Sequence, residues 1–403
     1  MSAEVKPGYK LTEVGLIPED WDVKSFDELF AFRNGVNADK SSYGQGIRFI
    51  NVLEPITYSH IYGPEITGRV TLIQPVANSY AVQRGDVLFN RTSETQEEVG
   101  LAAAYLGTER VVFGGFVIRG RPTDQSLDPI YSGYALRSPI IRLQIIPMGQ
   151  GAIRANIGQH NLKLVIVPIP PLIEQLAIAE ALSDVDALLN GLERLITKKR
   201  NIKQAAMQQL LTGKTRLPGF SGEWEMKRLG EIAEIVMGQS PSSTNYNTKG
   251  DGLPLIQGNA DIVNRRTIKR IFTSQVTKRG QAGDVLMSVR APVGEVSRAT
   301  FEICLGRGVC AIRFPNDFLY HYLIYLEANW AKHSKGSTFD SVNSADVNAA
   351  VVSLPPIAEQ TAIAAVLNDM DAELEALEKR RDKTSNLKQA MMQELLTGKT
   401  RLL

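Results

Sequence analysis

The chain has 403 residues, 43% hydrophobic and 22% charged, with a formal net charge of +2. That length calls for two or three folded units, and that apolar content excludes wholesale disorder. No apolar run approaches the ~18–20 residues of a membrane span, and the polar start from Met1 to Leu11 reads as lacking a secretory signal. Two cysteines and four histidines argue against a disulfide framework and a Cys/His zinc cluster. The expectation is a cytoplasmic protein with reduced thiols at Cys304 and Cys310.

In chain order, the first stretch opens on Trp21-Asp22-Val23-Lys24 and reads as mixed α/β. β-branched and aromatic runs bounded by Gly and Asp predict strands in 47–52, 80–90 and 110–120. Gly114-Gly115 reads as strand packing or a bulge. Residues 128–138 read as a helix stopped by Pro139. Pro171 suits a first helical turn, with Glu174-Gln175 just inside it. A short helix should follow, and Ser183-Asp184 then offers a cap to a longer one over about 184–211. Gly213 suits a left-handed C-cap. The second stretch repeats this order. Trp224-Glu225-Met226-Lys227 opens it, strands are predicted in 283–290 and 304–314, and 316–331 reads as a helix with Tyr320, Tyr322, Leu323, Tyr325 and Leu326 mostly in the core. Pro356, Glu359-Gln360, Asn368-Asp369 and Gly398 then punctuate a second helical region, its long helix over about 369–396.

The order is a genuine internal repeat. Pro170 to Leu217 and Pro355 to Leu402 align without a gap, with roughly 29 of 48 positions identical. Upstream the halves diverge but keep landmarks, among them Gly85-Asp86-Val87-Leu88 and Gly283-Asp284-Val285-Leu286. The chain is variable–constant–variable–constant. Each constant helix carries one apolar stripe: Val185, Leu189, Leu192, Ile196, Ile202, Ala206 and Leu210 in the first, and Met370, Leu374, Leu377, Leu387, Met391 and Leu395 in the second. Steps of three and four make a seam for a partner helix, interrupted at Lys199, Arg381 and Thr384. If the two run antiparallel, matching apolar to apolar favours a register in which facing residue numbers sum to about 580.

Charge is uneven. From Gly258 to Thr300 the chain carries Arg265, Arg266, Lys269, Arg270, Lys278, Arg279, Arg290 and Arg298 against Asp261, Asp284 and Glu295. This basic surplus is a candidate phosphate footprint. Recognisable catalytic chemistry is lacking. LTGKTRL imitates a phosphate loop, but Gln208 and Gln393 stand where a Walker glycine is required, and the segment ends a helix rather than preceding one. Asp128-Pro129-Ile130-Tyr131 lacks the second proline of an amino-methyltransferase box, and no glycine-rich adenosylmethionine loop lies near it.

The doubled PPL/I-x-EQ-x-x-IA, the D-x-D-A helix, the terminal LLTGKTRL and the two W-x-x-K openings, preceded by Gly15-Leu16-Ile17-Pro18 and by Leu217-Pro218-Gly219-Phe220, together resemble the specificity subunits of type I restriction–modification systems. The resemblance covers nearly the whole chain. It implies an α+β chain: two mixed α/β target-recognition domains, separated by two long repeated helices that form an antiparallel coiled coil. The domains would be 1–168 and 216–353, the helical spacers 169–215 and 354–403. It implies a non-catalytic subunit that reads a split, asymmetric site in double-stranded DNA. Two modification subunits carrying S-adenosylmethionine would bind it, with two restriction subunits using ATP and Mg; no cofactor and no metal would belong to this chain, and no membrane would be involved.

Base contacts require polar side chains on loops or groove-entering edges. The candidates in the first domain are Asn90, Arg91, Thr92, Arg154 and Asn156. In the second they are Gln257, Asn259, Arg265, Arg266, Lys269, Arg290, Ser337, Thr338 and Asn343. Competing readings are a stand-alone bipartite DNA-binding regulator, an autonomous methyltransferase, and a coiled-coil scaffold with no DNA role.

Overall fold

The computed structural model describes residues 6–151, 153–333 and 341–402. It divides into two compact units, one built from the chain up to Gly191 and from Arg380 onward, the other from Leu192–Lys379. Each unit takes in part of both helical segments, 169–215 and 354–403, that the sequence sets apart as spacers.

In the first unit Val87–Asn90 is the middle of five strands. Val117–Pro122 and Ala102–Tyr105 flank it, with Phe30–Asn34 and His60–Ile61 outermost. A four-stranded sheet runs Arg69–Val70, Tyr43–Ile50, Val111–Phe113, Ala81–Val82. Two runs expected as single strands therefore divide between sheets. In the first, Gly85 turns at φ +93° and the buried Asp86 carboxylate accepts from the Gln83 amide at 2.8 Å. In the second, Gly114-Gly115 lets the chain cross. A Cβ on Gly114 would meet the Phe49 ring at 2.4 Å, and one on Gly115 the Asn37 amide oxygen at 1.9 Å.

The second unit repeats the plan. Val285–Ser288 lies between Val309–Arg313 and Val296–Arg298, and Gly283-Asp284 makes the same turn, with Asp284 accepting from the Gln281 amide at 2.8 Å. The run 304–314 is again two strands, Ile303–Leu305 and Val309–Arg313. The helix expected over 128–138 is shorter, Pro129–Ala135. Pro139 does not stop it but opens another, Pro139–Ile145, because proline fits a first turn where its missing N–H is not needed.

Neither constant segment breaks at its internal cap. Each is one 39-residue helix, Leu172–Leu210 and Ile357–Leu395. Ser183 and Asp186 instead meet the Tyr134 hydroxyl, Asp186 at 2.8 Å. Within the first unit, Ile178, Leu182, Leu395 and Leu396 join a core centred on Phe26, Phe30 and Phe89. Within the second, Met207, Leu210, Ile363 and Leu367 join Phe318, Leu319 and Leu323.

Ion pairs show the helices antiparallel inside each unit. The first has Asp186–Lys388 at 2.6 Å and Glu174–Arg401 at 2.7 Å. The second has Lys199–Glu373 at 2.7 Å, Lys203–Asp371, and Arg216–Glu359 at 2.5 Å. Their numbers sum to about 572–575, close to one heptad below the expected register.

Two seam assignments change with it. Ile202 is 43% and Leu387 55% exposed, whereas Lys199, Lys203, Lys388 and Thr384 are half-buried or buried. Regular steps of three and then four from Ile196 reach Lys199 and Lys203. Their methylenes cover the seam while the ammonium groups reach carboxylates. The other seam positions, Val185, Leu189, Leu192, Ala206, Leu210, Met370, Leu374, Leu377, Met391 and Leu395, are half-buried or buried.

The terminal LTGKTR motif is a helix stop and a clasp. Gly213 and Gly398 sit at φ +68° and +69°. Arg401 then grips the buried Glu174, to which Trp21 Nε1 also donates at 2.8 Å. Arg216 grips Glu359 in the same way. The bonds to Glu174 and Glu359 push both guanidinium pKa values upward.

Candidate nucleic-acid interface

In both units the central strand ends at an open edge and the chain beyond it pairs with a distant loop. In the first unit Thr92 pairs with Asn156; in the second Arg290 bridges to Ser341. Four sequence candidates meet at the first edge. Thr92 Oγ1 donates to Asn156 Oδ1 at 2.6 Å, Asn156 Nδ2 to the Arg154 carbonyl at 2.9 Å, and the Ile157 amide to the Arg91 carbonyl at 2.9 Å. Gly151, at φ +130°, makes this loop possible, since a Cβ there would lie 2.1 Å from the Arg154 carbonyl oxygen.

Their availability differs. Arg154 is exposed and only loosely paired with Glu94, at 3.7 Å. Asn156 is exposed; Thr92 and Arg91 are half-buried, and Arg91 donates to the Gly115 carbonyl at 3.3 Å. Asn90 is wholly buried, its amide donating to the Glu98 carbonyl at 3.1 Å, and it is withdrawn as a base-reading candidate. It is buried because Val87–Asn90 is the middle strand of its sheet and every residue of it is buried.

The basic stretch of the second unit is mostly committed internally. Arg265 is bidentate to Glu327 at 2.5 and 2.8 Å, Arg266 meets Glu375 at 2.8 Å, Arg270 meets the buried Asp261 at 2.8 Å, Arg279 meets Glu302, and Arg298 meets Asp317 at 2.9 Å. Glu327, Glu375, Glu302 and Asp317 lie outside the stretch, so its local count overstates the available charge. Lys269 is exposed over the Phe301 ring, 5.0 Å from its centroid.

Gln257, Asn259 and Arg290 do come together. They line a concavity of about 130 Å³ with Ser240, Ser288 and Arg307. Arg307 escapes a reading by strand propensity because it sits between Gly306 and Gly308 in an apolar run; an arginine bracketed by glycines, with no room for strand pairing, was the available signal. Asn343 is an N-cap, accepting from the Asp346 amide at 3.1 Å. Ser337 and Thr338 lie outside the described residues.

Among the described residues no His/Cys/Asp/Glu group is arranged to hold a metal ion, and no helix is long and apolar enough to cross a membrane. Cys304 and Cys310 are free, buried thiols, and burial pushes Cys310 up to about 12.

Comparison with known proteins gives the context. The profile described as type I restriction modification DNA specificity domain matches residues 18–204 and 221–384. A specificity subunit assigned to type I restriction enzyme MjaX of Methanocaldococcus jannaschii is 32% identical over 98% of this chain and 97% of its own length. The EcoKI specificity subunit of Escherichia coli is 22% identical over 95% and 90%. A chain solved in work on complex assembly and conformational transition of the type I R-M system superposes with a TM-score of 0.60 at 25% identity, covering 95% of this chain and 99% of that one. The type I S subunit from M. genitalium shares the fold, with a TM-score of 0.61 at 19% identity over 96% and 98%.

Proposed function

The chain belongs to the family of type I restriction–modification DNA specificity subunits, and on that premise we propose that each of its two units reads one half of a split double-stranded DNA site. As a specificity subunit it is the non-catalytic part of a complex that acts on DNA with modification and restriction subunits. We assign it two of each. S-adenosylmethionine belongs to the modification subunits, and ATP with Mg to the restriction subunits.

The observation that supports one half-site per unit is the shared strand-end frame with different side chains on it. Thr92 and Asn156 stand at the bridge in one unit, and Arg290 and Ser341 in the other. Two unlike reading edges give an asymmetric bipartite site, where two identical ones would give a palindrome. The long helices serve as an antiparallel coiled-coil ruler. A helix of 39 residues is about 58 Å long, longer than the ~34–36 Å of one DNA turn. What supports this role is the regular three–four spacing of buried positions on both helices and the matching ion pairs in each unit.

The test is a segment exchange. Residues 218–335 are replaced by the corresponding segment of another family member, and methylated adenines are mapped in a host carrying the modification subunits. One half of the split motif should change and the other persist. A change in both halves, or in neither, contradicts the assignment.

A further inference from the structure

The concavity in the second unit has chemistry of its own. Arg290 and Arg307 are both exposed at its rim. In a unit where Arg265, Arg266, Arg270, Arg279, Arg298 and Arg313 all meet carboxylates, neither of these two has a carboxylate partner among the described residues. Two unneutralised guanidinium groups around one hollow repel each other, an arrangement that an acceptor-rich ligand relieves.

The backbone beneath them is fixed. The Arg307 amide donates to Ser240 Oγ at 3.0 Å, the Gly306 amide to the Ile256 carbonyl at 2.7 Å, and the Val289 amide to the Gly308 carbonyl at 2.9 Å. A Cβ on Gly308 would lie 1.9 Å from the Gln257 carbonyl oxygen, so glycine is what lets the Arg307 turn sit against the Gln257 turn. Both arginines thus stand on anchored turns, which reduces the ordering that recognition must impose.

Asn259, on the same rim, narrows the ligand. Its amide nitrogen is committed to the Glu295 carboxylate, and its amide oxygen is buried without a donor. The bidentate pairing of asparagine with adenine needs both amide atoms at the base edge, and the burial of this oxygen keeps it from that edge. Guanine presents N7 and O6 as two adjacent acceptors in the major groove, the pattern a guanidinium fork matches.

We infer that Arg290 and Arg307 are specificity-determining residues that read guanine in the half-site of the second unit. The inference rests on the reading of this unit as a half-site reader, and it names the base that reader selects. Arg307 supplies a contact that the charge count along the sequence does not suggest, because its Gly-Arg-Gly turn lies outside the basic stretch.

The test uses the full chain assembled with its modification subunits and a duplex library randomised across both half-sites. The parent should select guanine at one or more positions of one half-site. Arg290→Lys and Arg307→Lys keep the charge but lose the fork. Each should lose roughly tenfold or more of the discrimination at a guanine position, with little change in binding to mixed-sequence duplex or in its salt dependence. Replacing that guanine by 7-deazaguanine should weaken the parent similarly and add nothing to the variant that has lost the contact. Both side chains are exposed, and an unchanged melting profile verifies folding. If the parent is selective but both lysine variants keep its base preferences at every position, or the lost preference is for adenine, the arginine assignment is overturned and the half-site reading survives. If the parent shows no sequence preference, both fall together.

Discussion

The clasp at the end of each long helix makes a quantitative demand. Glu174 is wholly buried, and its carboxylate accepts from Trp21 at 2.8 Å and from Arg401 at 2.7 and 2.8 Å. Arg401→Met removes the cation and keeps much of the packing. An uncompensated buried carboxylate costs about 3–5 kcal/mol, and the surviving bond from Trp21 places this one toward the lower end, about 3 kcal/mol. Adding Glu174→Gln removes the charge that made the loss expensive, leaving about 1 kcal/mol for a missing hydrogen bond. In a double-mutant cycle the coupling, the two single losses minus the double loss, should therefore be at least about 2 kcal/mol, with any cost of Glu174→Gln alone adding to it. Native-state hydrogen exchange, read at amides of the first turns of Leu172–Leu210, measures it locally. A coupling below about 0.5 kcal/mol is the behaviour of a surface pair and would refute the clasp. The pH dependence has a definite sign. The hydrogen bond from Arg401 lowers the Asp20 pKa below its ordinary 3.8, so that part of the clasp is present at neutral pH and is lost as pH falls through the folded value, below about pH 4.

Two further outcomes follow from the packing. Burial lowers the pKa of both His60 and His321 below 6.5, so the folded units bind fewer protons there than the unfolded chain. Stability should fall as pH drops below about 6.5, by up to ~1.4 kcal/mol per pH unit for each histidine. Replacing either by Gln should flatten its unit's profile in pH-dependent hydrogen exchange; an unaltered slope would show that the histidine is not held neutral. For the helices, inserting seven residues in each, near its middle, preserves the three–four alternation and adds about 10 Å. The spacer of the methylated motif should lengthen by about three base pairs with its specific bases intact. An unchanged spacer in a folded variant would remove the helices as the ruler.

What the sequence made legible was whatever chemistry is local. The glycine at each helix end is a stop that neighbouring residues specify, and the structure places it as expected; the Gly-Asp landmark, read inside a strand run, is instead a turn that precedes Val87–Asn90 and Val285–Ser288. The doubled glycines and the bracketed Arg307 were harder. An apolar run broken by glycine reads equally as one strand or as two strands of different sheets, and only the Phe49 and Gln257 contacts decide it. The ion pairs of the basic stretch are not legible locally because most of their carboxylates lie elsewhere in the chain. Glu327 is 62 residues from Arg265 and Glu375 is 109 from Arg266. A local charge sum has no access to partners at that separation.

The register error has the same origin in sharper form. Sliding one helix past the other by a heptad leaves apolar residues facing apolar ones, so hydrophobic matching barely separates the two alignments. Polar residues break the tie. In the register that forms, Lys203 meets Asp371, Lys388 meets Asp186, and each buried glutamate receives the arginine that follows the far helix. A shift of seven residues is about 10 Å along the axis, and it would strand Glu174 and Glu359 without their cations. At several kcal/mol for each orphaned carboxylate, that penalty exceeds any small gain in apolar contact from burying Ile202 or Leu387. Lysines that interrupt the apolar stripe thus help to select its alignment. Lys199 and Lys203 look like defects in a hydrophobic seam only while their partners, Glu373 and Asp371, are left out of account.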